Sequence, residues 1–302
     1  MDVSELIKNS WKITRDHKVL WFFGFLNSVF GFLFFPLLLL PLVGLFGSEQ
    51  IPAWMEHPLV WLGWGLAIVL FMVLTYLVSA VIRAALVLGV HKADHGAQKL
   101  SFGELLRESR PFFWRFLGLM MTYALTLFLV SSILSGIQVL GAVLTMGLAT
   151  ICLTPLSYLL YPLLYAGLVW MELSETAMVM EGLNLKEGML RGWQVVRQNV
   201  VNLLLIGLIM YLGIGLLAGV FMIPMIVPFF VLPFTLIESD GAGTMLLISG
   251  LCLAAYFPIF AIIQGITIVF MKAGWYLAYV RLTQGSGKPQ TPMLVEPERM
   301  KS

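Results

Sequence analysis

His91 and His95 stand four residues apart with Asp94 beside them. That spacing puts two imidazoles on one helical face and matches half of a zinc site. No third or fourth ligand accompanies them in the sequence, so the simpler reading is a solvated helix end. His17 and His57 are isolated and read as interfacial polar residues. Cys152 and Cys252 lie within long apolar runs, without the close spacing of a metal or redox motif, and read as small apolar residues. The chain has no Gly-rich phosphate loop, nucleophile elbow or HExxH pattern. No catalytic residue, no metal and no cofactor is expected.

Charges offer the next chemistry, since an ionisable residue inside a membrane span commonly marks ion coupling or a proton relay. Of the 302 residues, 60% are hydrophobic and 11% charged, against about 25% charged in ordinary soluble domains. A conventional water-soluble core is therefore excluded, and the working solvent is lipid. The long apolar runs carry no Asp, Glu, Lys or Arg. Arg83 and Lys272 come closest, each at the end of a run, where its stem can snorkel toward the headgroups or meet a lipid phosphate.

The charge-free runs cover residues 19 to 48, 57 to 82, 116 to 171, 198 to 237 and 241 to 271. A spanning helix needs about 20 apolar residues, so 116 to 171 must hold two spans, joined by a turn near Gly136 to Gly147. That gives six spans. Pro224, Pro228 and Pro233 predict that the helix starting near Gln198 ends at about Met222, followed by a broken segment along the outer interface. Pro36 and Pro41 predict a similar outer end for the first span. The run beginning at Val19 is too long for a signal-peptide core, so the N-terminus is expected to be retained.

All 18 Lys and Arg residues fall within residues 8 to 18, 83 to 115, 186 to 197 and 272 to 301. The opposite loops carry Glu49, Glu56, Glu238 and Asp240. The positive-inside rule then places both termini in the cytoplasm of a multi-pass protein of a bacterial inner membrane.

Three segments that precede odd-numbered spans look alike. They are Asp2 to Trp11, Ser101 to Arg110 and Asn184 to Trp193, and each opens with Asp, Ser or Asn followed three residues later by Glu5, Glu104 or Glu187. This is a capping-box pattern. Apolar residues then recur at helical spacing with basic residues on other faces, as in a helix lying in the headgroup plane. Arg83-Ala-Ala-Leu, Tyr165-Ala-Gly-Leu and Lys272-Ala-Gly-Trp mark comparable points later in each unit.

The expected fold is therefore all-α. It is a polytopic bundle of six transmembrane helices built from three repeats, about 1 to 98, 99 to 182 and 183 to 285, each an amphipathic interfacial helix plus a transmembrane hairpin. Residues 1 to 285 form one membrane domain, and 286 to 302 a disordered cytoplasmic tail. Any pseudo-symmetry axis should follow the membrane normal. Candidate headgroup contacts are Lys8, Trp11, Lys12, Arg15, Arg83, Arg107, Arg110, Arg191, Trp193, Arg197 and Lys272.

Gly215 to Gly219 and Ser132 to Gly136 are small-xxx-small matches, read as packing contacts inside the bundle. Asn27, Ser28, Gln138, Asn202 and Gln264 could line a groove or hydrogen-bond between helices. The basic clusters adjoin spans, which argues against nucleic acid as a partner and for anionic lipid of the cytoplasmic leaflet.

The Glu-x-x-x-x-x-Trp opening, the stretch from Trp11 to Phe25 and the Trp193-Gln-Val-Val-Arg-Gln-Asn segment together resemble bacterial six-helix proteins related to the membrane domain of glycerophosphodiester phosphodiesterases. The resemblance implies a membrane architecture. Some members join that domain to a catalytic barrel, for which this chain leaves no residues, so phosphodiesterase activity is not expected. The leading expectation is a non-enzymatic protein that binds or organises phospholipid or supports envelope homeostasis. One alternative is a transporter or exporter of an apolar or amphipathic solute. A second is a membrane enzyme resting on His91, His95 and Asp94.

Overall fold

The computed structural model describes residues 3 to 46, 57 to 97, 99 to 148, 160 to 237 and 242 to 284. Among these residues the elements are all helices, joined by short turns: α1 (Val3–Asp16), α2 (Lys18–Phe46), α3 (Pro58–Asp94), α4 (Phe102–Ser109), α5 (Phe113–Leu144), α6 (Leu160–Met180), α7 (Leu185–Gln198), α8 (Val200–Ile237) and α9 (Ala242–Gln284), with one 3-10 turn at Arg110–Phe112. Four stretches among the described residues are long and apolar enough to cross a membrane: Pro58–Asp94, Phe102–Leu144, Val200–Pro224 and Ala255–Thr283. Lys18–Leu33 adds a shorter apolar helix. The acidic loop residues Glu49, Glu56, Glu238 and Asp240, together with Asp2, Cys152 and the tail beyond Gln284, lie outside the described residues.

Apolar composition explains why helices outlast their prolines. Where no water can satisfy free amides and carbonyls, stopping a helix costs more than the single hydrogen bond that proline removes. The expected break after Met222 does not occur, and α8 runs through Pro224, Pro228 and Pro233 to Ile237. Likewise α2 continues past Pro36 and Pro41 to Phe46. The turn after α5 falls at Thr145 to Gly147, at the far end of the expected Gly136 to Gly147 stretch, with Gly147 at φ 93 and its amide donating to Ala142 O at 2.8 Å. Glycine takes this left-handed conformation without steric cost.

The amphipathic helices α1, α4 and α7 bury the same register. Over their first eight residues each runs half-buried, exposed, exposed, buried, half-buried, exposed, half-buried, buried, and α1 and α7 remain identical through all 14 residues. The two fully buried positions are Leu6 and Ser10, Leu105 and Ser109, Gly188 and Gly192. Leucine at this register removes apolar surface from solvent, which drives docking. At α7 the glycines instead bring the backbone against α6, where a Cβ on Gly192 would press into Ser174 and one on Gly188 into Met178. Of the anticipated caps, the Asn184 amide donates to Glu187 Oε2 at 3.3 Å. At α4, Ser101 makes no side-chain cap, and Glu104 binds Lys92 instead.

Each short helix rests on a long one, α1 on α9, α4 on α3 and α7 on α6. The three long helices α3, α6 and α9 touch one another pairwise and form an inner triangle. Around it, α2 lies against α9 and α3, α5 against α3 and α6, and α8 against α9.

The close backbone approach expected of the small-residue pairs occurs elsewhere. A Cβ added to Gly136, Gly215 or Gly219 would meet nothing within 4 Å among the described residues. Among the described residues these glycines pack against no other helix. By contrast, Gly24 of α2 and Gly265 of α9 meet so closely that a Cβ on either would overlap the other's strand of backbone. Gly265→Leu should therefore destabilise the detergent-solubilised protein by about 1–3 kcal/mol through overpacking. Gly215→Leu should stay within about 0.5 kcal/mol of the parent. Thermal unfolding followed by circular dichroism compares the two; equal effects would contradict the packing described.

Candidate functional site

Arg83 of α3, Glu172 and Glu175 of α6, and Lys272 of α9 meet where the three inner helices converge. Glu172 and Glu175 are three residues apart, so both carboxylates leave α6 on one face. Arg83 Nη2 donates to Glu172 Oε1 at 2.8 Å, and its Nε to Glu175 Oε1 at 2.6 Å. Lys272 Nζ donates to Glu172 Oε2 at 2.6 Å and also to Glu175 Oε2. Every carboxylate oxygen takes one cation, and the four groups close into a net-neutral ring. The Glu175 side chain is 0% exposed and that of Lys272 6%.

This arrangement corrects two readings of the sequence. Arg83 and Lys272 do not extend along the surface with snorkelling stems; both turn inward onto the acids of α6. The inner bundle is also not free of charge. Glu172 and Glu175 went unrecognised because they stand at the edge of the longest apolar run. A signal was present, however: two acids at i,i+3 amid apolar residues require cations from another element if they are to be buried.

The ring also changes how the three inner helices align. Tyr165 matches Arg83 and Lys272 by its following residues, yet the residue that meets them in space is Glu172. Counted from Arg83, Glu172 and Lys272, the position three before and the four positions after are buried in all three helices. Tyr165 lies farther along α6, its ring 5.5 Å from that of Tyr211, and its buried hydroxyl has no hydrogen-bond partner among the described residues.

A second tier of charges follows nine residues on, from 83 to 92, 172 to 181 and 272 to 281. Lys92 binds Glu104 at 2.7 Å and Glu108 at 2.8 Å, joining α3 to α4. Arg281 binds Glu5 at 3.3 Å, joining α9 to α1. Just past the end of α6 the sign is inverted: Glu181 takes Arg191 of α7 at 3.1 Å and also accepts from the Tyr279 hydroxyl. Burial disfavours the Arg191 charge, but the Glu181 carboxylate outweighs that and holds the guanidinium above its usual range. Both tiers read basic, acidic, basic around the triangle.

The remaining candidate headgroup residues are not gathered into one site. Lys8, Trp11, Lys12, Arg15, Arg107, Arg110, Trp193 and Arg197 are all exposed; the charged ones lie on the faces of α1, α7 and the α4 turn away from the inner helices, whereas the Trp11 ring stands 6.3 Å from that of Phe270 in α9. His91 Nδ1 lies 2.9 Å from the Tyr276 hydroxyl, and His95 Nδ1 is 2.9 Å from the carbonyl of His91. Among the described residues no group of three or more His, Cys, Asp or Glu is placed to hold a metal ion. Ser28 donates back to Gly24 O at 3.0 Å, and Asn202 is exposed.

Breaking a buried ion pair from one side typically costs about 3–5 kcal/mol, because the partner charge is left without compensation. Glu175→Gln should lower stability by that order. The double variant Glu175→Leu, Lys272→Met removes one charge of each sign and leaves Arg83 with Glu172, so it should recover most of the loss. Unfolding of the three proteins in detergent checks this, and a Glu175→Gln protein as stable as the parent would refute the role given to the ring. Comparison with family models, curated proteins and solved structures finds no match for this chain.

Proposed function

We propose that the chain is a non-enzymatic protein of a bacterial cytoplasmic membrane that holds and organises anionic phospholipid of the cytoplasmic leaflet. In this reading it crosses six times, with both termini cytoplasmic, as three units of amphipathic helix plus hairpin. The observation that carries the proposal is the shared burial register of α1, α4 and α7. One face of each is fixed to an inner helix, and the opposite face carries Lys8, Lys12, Arg15, Arg107, Arg110 and Arg197. Trp11 and Trp193 occupy the same register position, 50% and 53% exposed. Exposed Trp beside Lys and Arg is the pattern of a helix seated in the headgroup layer.

The cyclic order supports the three-unit reading. Each amphipathic helix packs on the inner helix of the unit before it, and α1 closes the circle on α9. The resemblance to membrane domains of phosphodiesterase relatives is in keeping with this reading and adds no catalytic step.

A basic residue near an anionic bilayer contributes about 1 kcal/mol of attraction. Replacing Lys8, Lys12, Arg15, Arg107, Arg110 and Arg197 together by Gln, while leaving the paired Arg191, should reduce anionic lipid around the protein at least fivefold. The measurement is the lipid composition of polymer-extracted native discs, with helicity as the folding control. An annulus as rich in anionic lipid as that of the parent would overturn the proposal.

A second reading, export of an apolar or amphipathic solute, is favoured by one observation. The ring of Arg83, Glu172, Glu175 and Lys272 places ionisable groups where the three inner helices meet, the position a coupling group would occupy. Solute flux in sealed vesicles, abolished in a folded Glu172→Gln protein, would support this reading over the first.

A further inference from the structure

A slot of about 700 Å³ opens between α5 and α6 beneath α7. Its walls include Tyr123, Val130, Leu164, Gly167, Met189 and Trp193, with Lys186 at the rim. The volume lies within the roughly 300–1,000 Å³ of pockets that enclose a small ligand. Along α5 the lining extends from Tyr123 to Val130, a rise of about 10 Å.

The polar groups of the walls are already engaged. Trp170 Nε1 donates to Met189 O at 2.9 Å, Thr126 Oγ1 to Thr122 O at 2.8 Å, and the Tyr123 hydroxyl lies 3.5 Å from Leu164 O. Lys186 is exposed, and among the described residues nothing pairs with it, while its neighbour Glu187 turns back to the Asn184 amide. The slot therefore offers hydrocarbon-lined walls and one cation at the edge.

The matching seam under α4 is closed. There Phe102 stacks on Phe23 at 4.5 Å and meets Phe22 edge-on at 5.3 Å. Leu185 stands in the burial register of α7 where Phe102 stands in α4. A branched aliphatic side chain replaces the ring, and the seam remains open.

We infer that this slot seats one acyl chain of an anionic phospholipid entering from the adjoining leaflet, with its phosphate held at Lys186. Charge complementarity at the rim and position between two long apolar helices select this occupant over a neutral or soluble ligand. The inference rests on the membrane reading above but concerns a single tightly held lipid rather than the annulus.

Native mass spectrometry of the full chain, purified in detergent from membranes containing phosphatidylglycerol and phosphatidylethanolamine, provides the test. The parent should retain one phosphatidylglycerol per chain, at least tenfold over phosphatidylethanolamine. Val130→Trp, which fills the slot, should lose retained lipid of both kinds. Lys186→Gln, an exposed change that leaves the fold intact, should lose the anionic preference at least fivefold, and Lys186→Arg should keep it. Phosphatidylglycerol retained equally by the parent, Val130→Trp and Lys186→Gln would overturn the inference, as would a free fatty acid retained in place of phospholipid. The six-residue Gln variant serves as the separating control. It should keep the slot lipid while its annulus changes, so failure of the slot and failure of the annulus are read independently.

Discussion

Two carboxylates on one face of α6 cannot be buried unless something neutralises them, and the arrangement of the inner helices follows from that requirement. Glu172 and Glu175 each need partners for two oxygens, and α6 supplies no cation. Arg83 and Lys272 provide them from α3 and α9, so three helices distant in sequence converge on one point. Ion pairs of this kind contribute little net energy compared with apolar side chains of the same volume. What they impose is register. A slip of one residue on any of the three helices would leave a charge in apolar surroundings, a penalty that dispersion contacts between Leu, Val and Ala do not impose. Their value lies in fixing how otherwise interchangeable apolar helices align.

The outer parts follow from the same alignment. Nine residues along each inner helix a second charge clamps an amphipathic helix, and the sign is again inverted just past the end of α6. Because α1, α4 and α7 bury identical registers, the three are docked in one manner, and their exposed faces carry the basic residues and tryptophans. The units differ where packing differs. Phe22, Phe23 and Phe102 close the seam under α4, whereas Leu185 leaves the seam under α7 open. Local variation on a common frame thus produces a slot at one place and solid packing at another.

The all-helical class and the amphipathic helices were legible in the sequence because helical period and capping residues are local signals. Glu5, Glu104 and Glu187 marked the beginnings of α1, α4 and α7, and the spacing of Leu6, Leu105 and their neighbours marked the faces. The prolines were misleading, since propensities learned for water overstate helix breaking in apolar surroundings, and α2 and α8 continue through them. Pairing was illegible for a different reason. Nothing in the sequence alone says that Arg83 faces Glu172, 89 positions further along the chain, nor that Gly24 rather than Gly215 is where backbones touch. Such facts belong to tertiary alignment, and Tyr165 shows how a sequence echo can select the wrong register when the matching residue carries the opposite charge.

The convergence of α3, α6 and α9 on the ring is open to direct observation in a bilayer. Dipolar recoupling by solid-state NMR, with ¹⁵N at lysine Nζ and ¹³C at glutamate Cδ, reads proximity between Lys272 and the acids of α6 without altering the charge ring. Two lysine signals, those of Lys92 and Lys272, should be strongly dephased by glutamate carboxyl carbons, and only the Lys272 signal should be missing in the Glu175→Leu, Lys272→Met protein. A Lys272 signal free of glutamate dephasing in the parent would mean that the ring does not form and that the inner helices are aligned by something else.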